Sequence, residues 1–187
     1  MLDVPRRETR RSQRGVTILE IVVSASVLLV AAVGVTRSVV GSMAMTRTNR
    51  ETSLATHAAR RAVEQLRQEG FAEVFARYND YPADDPDGPG TAPGAGFPVI
   101  GLQVRPGDPD GMVGRVLFPV ATPDRLTEGV GAPFDGLPTD LNLDGDTTDG
   151  DVTATHLLLP AVVRVEWQGV GGERSVELRT LLAGDRP

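Results

Sequence analysis

The feature that limits this chain most is the run from Val16 to Thr36, VTILEIVVSASVLLVAAVGVT, in which Glu20 is the one charged residue. As a helix it extends about 31 Å at ~1.5 Å per residue, a match to a hydrocarbon thickness of ~30 Å. A helix apolar on every side has no face to give to water, so lipid or other helices must surround it. Ahead of it stand Arg6, Arg7, Arg10, Arg11 and Arg14. With Asp3 and Glu8 these give the leader a net +3 and leave −9 for the remainder of a chain whose total is −6. That asymmetry places the leader in the cytoplasm and the bulk of the chain across the membrane.

The 187 residues, 40% hydrophobic, leave room for one further domain and its appendages. An acidic exterior disfavours nucleic acid as a partner, because phosphates require cationic neutralisation. The absence of cysteine excludes disulfides, thiolate metal sites and thiol catalysis, and leaves the redox compartment open.

Helical periodicity continues past the apolar run. Ala55, Ala59, Ala62, Val63 and Leu66 form one stripe, with Arg60, Glu64, Arg67 and Gln68 on another face. The pattern predicts one helix over residues 17–69, ended or kinked at Gly70, with Phe71, Val74, Phe75 and Tyr78 as a further short apolar face. The organisation expected is a leader over 1–15, a membrane helix over 16–36, its amphipathic continuation over 37–78 and a Pro/Gly/Asp-rich loop over 79–96. A β-rich head follows over 97–187, with an acidic loop at 135–151. Strands are expected at 99–105 and 113–120. The clearest β signal is a hairpin over 161–183, where Val163, Val165 and Trp167 alternate with polar residues. A turn at 169–172 then leads to Val176, Leu178 and Thr180. Trp167 lies on the apolar phase, which makes it a core residue before a carbohydrate platform. The fold class is therefore α+β, a long helix packed on a small antiparallel sheet.

The stretch Arg14-Gly15-Val16-Thr17-Ile18-Leu19-Glu20 resembles the processing site of type IV prepilins and type II secretion pseudopilins. In that family a dedicated peptidase cuts after a glycine, the new N-terminal residue is methylated, and a glutamate stands fifth in the mature chain. The resemblance implies cleavage between Gly15 and Val16, methylation of Val16, and an assembly role for Glu20. That role is pairing with the α-amine of a neighbouring subunit to set the stacking register. It also implies a pilin-like fold, prepilin peptidase and other pilins or pseudopilins as partners, and residence in a bacterial inner membrane with the head in the periplasm before incorporation into a pilus or pseudopilus. The C-terminal hairpin looks like that of PilV-type minor pilins and GspI-type pseudopilins. Two departures are Val16, where Phe or Met is usual, and Arg37, where major pilins carry a mid-membrane proline. The second favours a minor subunit over a major one.

Residues 140–151, DLNLDGDTTDGD, reproduce the spacing of an EF-hand loop. Asp140, Asn142 and Asp144 stand at the first three ligand positions, Gly145 at the turn, Asp146 next and Asp151 at the end. This predicts a Ca²⁺ site of weak affinity, since Asp151 is shorter than the usual terminal glutamate. A solvated acidic loop is the plainer reading. His57 and His156 have no companions at metal-ligand spacing, and no phosphate loop, nucleophile elbow or HExxH motif is present. The expectation is a protein without enzymatic activity. Other readings left open are a cleaved secretory signal, a permanent single-pass anchor carrying a calcium-dependent binding module, and a secreted hydrolase using acidic-loop residues.

Overall fold

The structure is a computed structural model and describes residues 17–184. Helix α1 spans Ile18–Gln68, one residue inside the expected bounds at each end. Thr17 starts it: the Glu20 N–H donates to Thr17 Oγ1 at 3.3 Å, which is half of a Thr-x-x-Glu capping box. The chain divides into two units, Met1–Ala44 and Met45–Pro187.

In the first unit every residue from 18 to 43 is exposed. Leu28, Leu29 and Val30 stand 70%, 68% and 70% exposed. Successive residues on a helix point about 100° apart, so the apolar surface covers all sides. The hydroxyls of Ser26 and Thr36 donate back to the carbonyls of Val22 and Ala32 at 2.8 and 2.9 Å, so neither needs a partner outside the helix. This helix is long and apolar enough to cross a membrane.

The second unit has its own core. The predicted alanine stripe is buried: Ala55, Ala59, Ala62, Val63 and Leu66 are joined by Ala58 and Glu51. Small side chains let the helix backbone approach the sheet closely. The sheet has the order β1-β2-β5-β6 and is antiparallel throughout, with β1 Gly96–Phe97, β2 Gly114–Leu117, β5 Leu158–Gly169 and β6 Gly172–Ala183. A separate ribbon pairs β3 Val120–Thr122 with β4 Arg125–Leu126. Strand β5 is central, and Leu159, Ala161, Val163, Val165 and Trp167 lie in the core that includes the α1 stripe. The expected hairpin closes tightly at Gly169↔Gly172, and its register sets Val163 and Val165 opposite Leu178 and Val176. Trp167 is 1% exposed, as a core residue should be.

Trp167 also joins helix to sheet by a polar contact. Its Nε1–H donates to Glu51 Oε2 at 3.3 Å, and the other oxygen of this buried carboxylate accepts from Arg47 Nε at 3.0 Å. Gly169 makes room for the arrangement, because a Cβ there would lie 2.7 Å from Arg174 Cδ and 3.1 Å from Glu51 Oε2.

The helix breaks at Gly70 as expected: Gly70 takes an extended conformation, φ −63° and ψ 127°, and a second helix α2 spans Phe71–Tyr78, burying Val74 and Phe75. Two expectations are corrected. Residues 99–105 are not a strand. Pro98 supplies no N–H, Gly101 has φ +93°, and Ile100 is 94% exposed, so β1 lies just before them. The strand expected over 113–120 is divided between β2 and β3.

Candidate functional site

Two regions carry the sequence-predicted site residues. In the first, Gly15 and Val16 lie outside the described residues, while Glu20 sits in the first turn of α1. A carboxylate there is favoured by the helix dipole. Around it Ile18, Leu19 and Ile21 are 83%, 74% and 57% exposed, so the charge stands amid bare apolar surface. Positions three and four residues away are Val16, Thr17, Val23 and Ser24, and the next cation along the helix is Arg37. No side chain one turn away on its own helix can neutralise Glu20. The group is suited to meet a cation brought by another chain.

The second region is the acidic loop, and here the hydrogen bonds redistribute the expected roles. Asp140 uses both oxygens on the loop backbone, accepting from Leu143 N at 2.6 Å and Gly145 N at 3.0 Å. Leu143 is held at φ +61° by this wrapping. Asp146 Oδ1 accepts from Thr147 N, Thr148 N and Thr148 Oγ1, which hold its carboxyl below the usual range, the Thr148 hydroxyl contributing most. Asp151 turns outward: Oδ1 accepts from Thr153 N at 3.1 Å and Oδ2 lies 3.8 Å from Arg125 Nε. Its carboxyl is likewise lowered, mainly by Thr153. Asn142 lies between two acids, its Nδ2 donating to Asp144 Oδ2 at 3.0 Å and to Asp149 Oδ2 at 3.2 Å.

Beneath the loop is a residue outside the sequence motif. Glu128 is 5% exposed, its Oε1 accepts from Leu141 N at 2.6 Å and Asn142 N at 3.3 Å, and its Oε2 has no hydrogen-bond partner. The backbone locks the two segments together, with Glu128 N donating to Asp149 O at 3.0 Å and Val152 N to Leu126 O at 3.0 Å. Gly129 continues the close fit: at φ +66°, a Cβ would lie 2.8 Å from Thr147 O. Nothing local in the sequence marks Glu128, because the contact depends on the β3–β4 ribbon carrying residue 128 under a loop 13 positions further on. Among the described residues no group of three or more His, Asp or Glu side chains is closed around a metal-sized point.

His57 is exposed on α1, whereas His156 packs against Phe71 at a ring distance of 5.0 Å. Its Nδ1 lies 2.8 Å from Thr153 O and its buried Nε2 has no partner. Burial pushes this imidazole below its usual range, outweighing the nearby carbonyl. The unfolded chain therefore binds this proton more readily than the folded one. Stability from this group is present above a pH of about 6.5 and is lost as pH falls towards the folded value. Thermal midpoints measured from pH 7.5 to 5 should fall in the wild-type protein. His156→Phe should flatten the part of that slope just below neutrality.

Comparison with known proteins found no matching family model, no matching curated protein and no matching solved structure.

Proposed function

We propose that this protein is a non-enzymatic minor pilin or pseudopilin, a structural subunit of a type IV pilus or a type II secretion pseudopilus. It enters the bacterial inner membrane once, with residues 1–15 cytoplasmic and the head periplasmic, and prepilin peptidase removes the leader after Gly15. Val16 is then methylated, and the subunit joins other pilins or pseudopilins through its bare helix. The observation that carries this reading is a helix exposed and apolar on all sides over residues 18–43, whose one acid, Glu20, stands just after Gly15 with no cation one turn away. Bundle packing would bury that surface, and a neighbour's new α-amine would neutralise that charge. The head faces outward and selects neighbours or cargo.

Intact mass of the full chain after co-expression with prepilin peptidase tests the proposal. The expected product begins at Val16 and carries one added methyl group. A chain that keeps residues 1–15 in its native host would instead be a permanent single-pass anchor for a calcium-dependent binding module, a reading to which the acidic loop lends weight.

A further inference from the structure

A buried carboxylate oxygen without a donor is expensive, because desolvation is not repaid by any hydrogen bond. Glu128 Oε2 is such an atom, in a side chain 5% exposed whose other oxygen is bonded to the first turn of the acidic loop. The surroundings add to the cost. Residues 140–151 carry Asp140, Asp144, Asp146, Asp149 and Asp151 on the loop whose backbone Glu128 binds, and Arg125 is the one cation paired with any of them among the described residues. Like charges held together by folding require a counter-charge, and a dication supplies it in the smallest space.

The inner and outer acids differ in what they already do. Asp140, Asp146 and Asp151 have their bonded oxygens committed to loop N–H groups, the Thr148 hydroxyl or Arg125, which shape the loop. Asp144 also holds the Asp146 N–H with its Oδ1 at 2.8 Å, but its Oδ2 and Asp149 Oδ2 share the Asn142 amide nitrogen, a weak neutral donor placed between two carboxylates where a cation would be stronger. Glu128 forms the floor below the same asparagine, bonded to its backbone N–H at 3.3 Å.

We infer that the loop is a Ca²⁺ site whose ligands are Asn142, Asp144, Asp149 and the buried Glu128, with Asp140, Asp146 and Asp151 serving to fold the loop around it. The cation takes the place of the Asn142 amide nitrogen between the two carboxylates, and Asn142 turns its oxygen inward. Oxygen-only donors on a glycine-bearing loop suit Ca²⁺ over Mg²⁺, which demands a stricter octahedron. The ligand set departs from the EF-hand spacing at its last position, where Glu128 from outside the loop replaces Asp151.

The test is thermal unfolding and calorimetric titration of the full chain in detergent micelles after chelator treatment, with CaCl₂ or MgCl₂ as the probe. Ca²⁺ should bind with a Kd of about 10⁻⁴–10⁻³ M and at about 10 mM raise the midpoint by roughly 4–8 °C, while Mg²⁺ does less. Glu128→Gln and Asp149→Asn should each weaken binding at least ~10-fold, and Asp151→Asn by no more than about twofold. Asp149→Asn leaves the buried Glu128 side chain in place, so it decides the matter if Glu128→Gln fails to fold. Absence of a Ca²⁺ effect overturns the inference. So does an equal Mg²⁺ effect, or a loss on Asp151→Asn as large as that on Asp149→Asn.

Discussion

Trp167→Ala should lower the stability of the head by about 3–5 kcal/mol, the usual range for deleting a buried aromatic side chain. The expectation rests on where the indole sits. At 1% exposure it lies on central strand β5, in the core shared with the alanine stripe of α1. Alanines at Ala55, Ala58, Ala59 and Ala62 cannot reach across to fill the space, so the cavity remains. A second loss accompanies it, since removing the indole N–H leaves the buried Glu51 carboxylate with Arg47 as its remaining bonded partner. Trp167→Phe separates the two effects: it keeps most of the volume and loses the donor, at a cost of about 1–3 kcal/mol. Total stabilities of domains are about 5–15 kcal/mol, so the alanine variant approaches the limit of folding. Urea unfolding of the full chain in detergent measures this, as a lower midpoint at unchanged slope. An unchanged midpoint would mean that Trp167 is a surface platform after all.

What the sequence disclosed and what it hid divide along the distance over which the governing contacts act. The ends of α1 and the phase of the alanine stripe follow from spacings of three and four residues, and the β5–β6 hairpin follows from alternation on either side of a Gly-rich turn. These are local patterns, and they were legible. Residues 99–105 contain enough apolar side chains to suggest a strand, but Pro98 and the positive φ of Gly101 prevent a ladder there. Breaker residues outweighed β propensity. The loop over 140–151 was legible as an oxygen-rich motif, yet the roles within it were not. Whether Asp151 faces inward depends on Arg125 and Thr153, and Glu128 enters through the folding of a ribbon that its own neighbours do not announce. The Glu51–Trp167 contact, 116 positions apart, is hidden for the same reason.

If the protein is the pilin-like subunit proposed above, Glu20→Gln should leave it in the membrane, processed, and largely absent from filaments. Glutamine is the informative replacement because Glu20 has two explanations that predict opposite results. In the first, Glu20 belongs to the Thr17-x-x-Glu20 capping box whose Thr17 half is formed at 3.3 Å, and it serves its own helix. Glutamine is competent at that position, so a capping role predicts wild-type behaviour. In the second, the charge pairs with the α-amine that cleavage creates on a neighbour, inside a helix bundle of low dielectric. Glutamine has no charge to offer, and the neighbour's ammonium is left buried without a partner. Breaking a buried ion pair from one side costs about 3–5 kcal/mol, so incorporation should drop by roughly 10²–10⁴-fold. Insertion should improve slightly, since the charge is unfavourable in hydrocarbon. The measurement is the ratio of subunit in sheared filaments to subunit in membranes, in the native host, with intact mass confirming that the variant is still cut after Gly15. Thr17→Ala supplies the control: it removes the cap and keeps the charge, and it should assemble nearly as the wild type does. If the glutamine variant assembles normally while the Thr17 variant fails, Glu20 is a capping residue and the register must be set elsewhere on the helix.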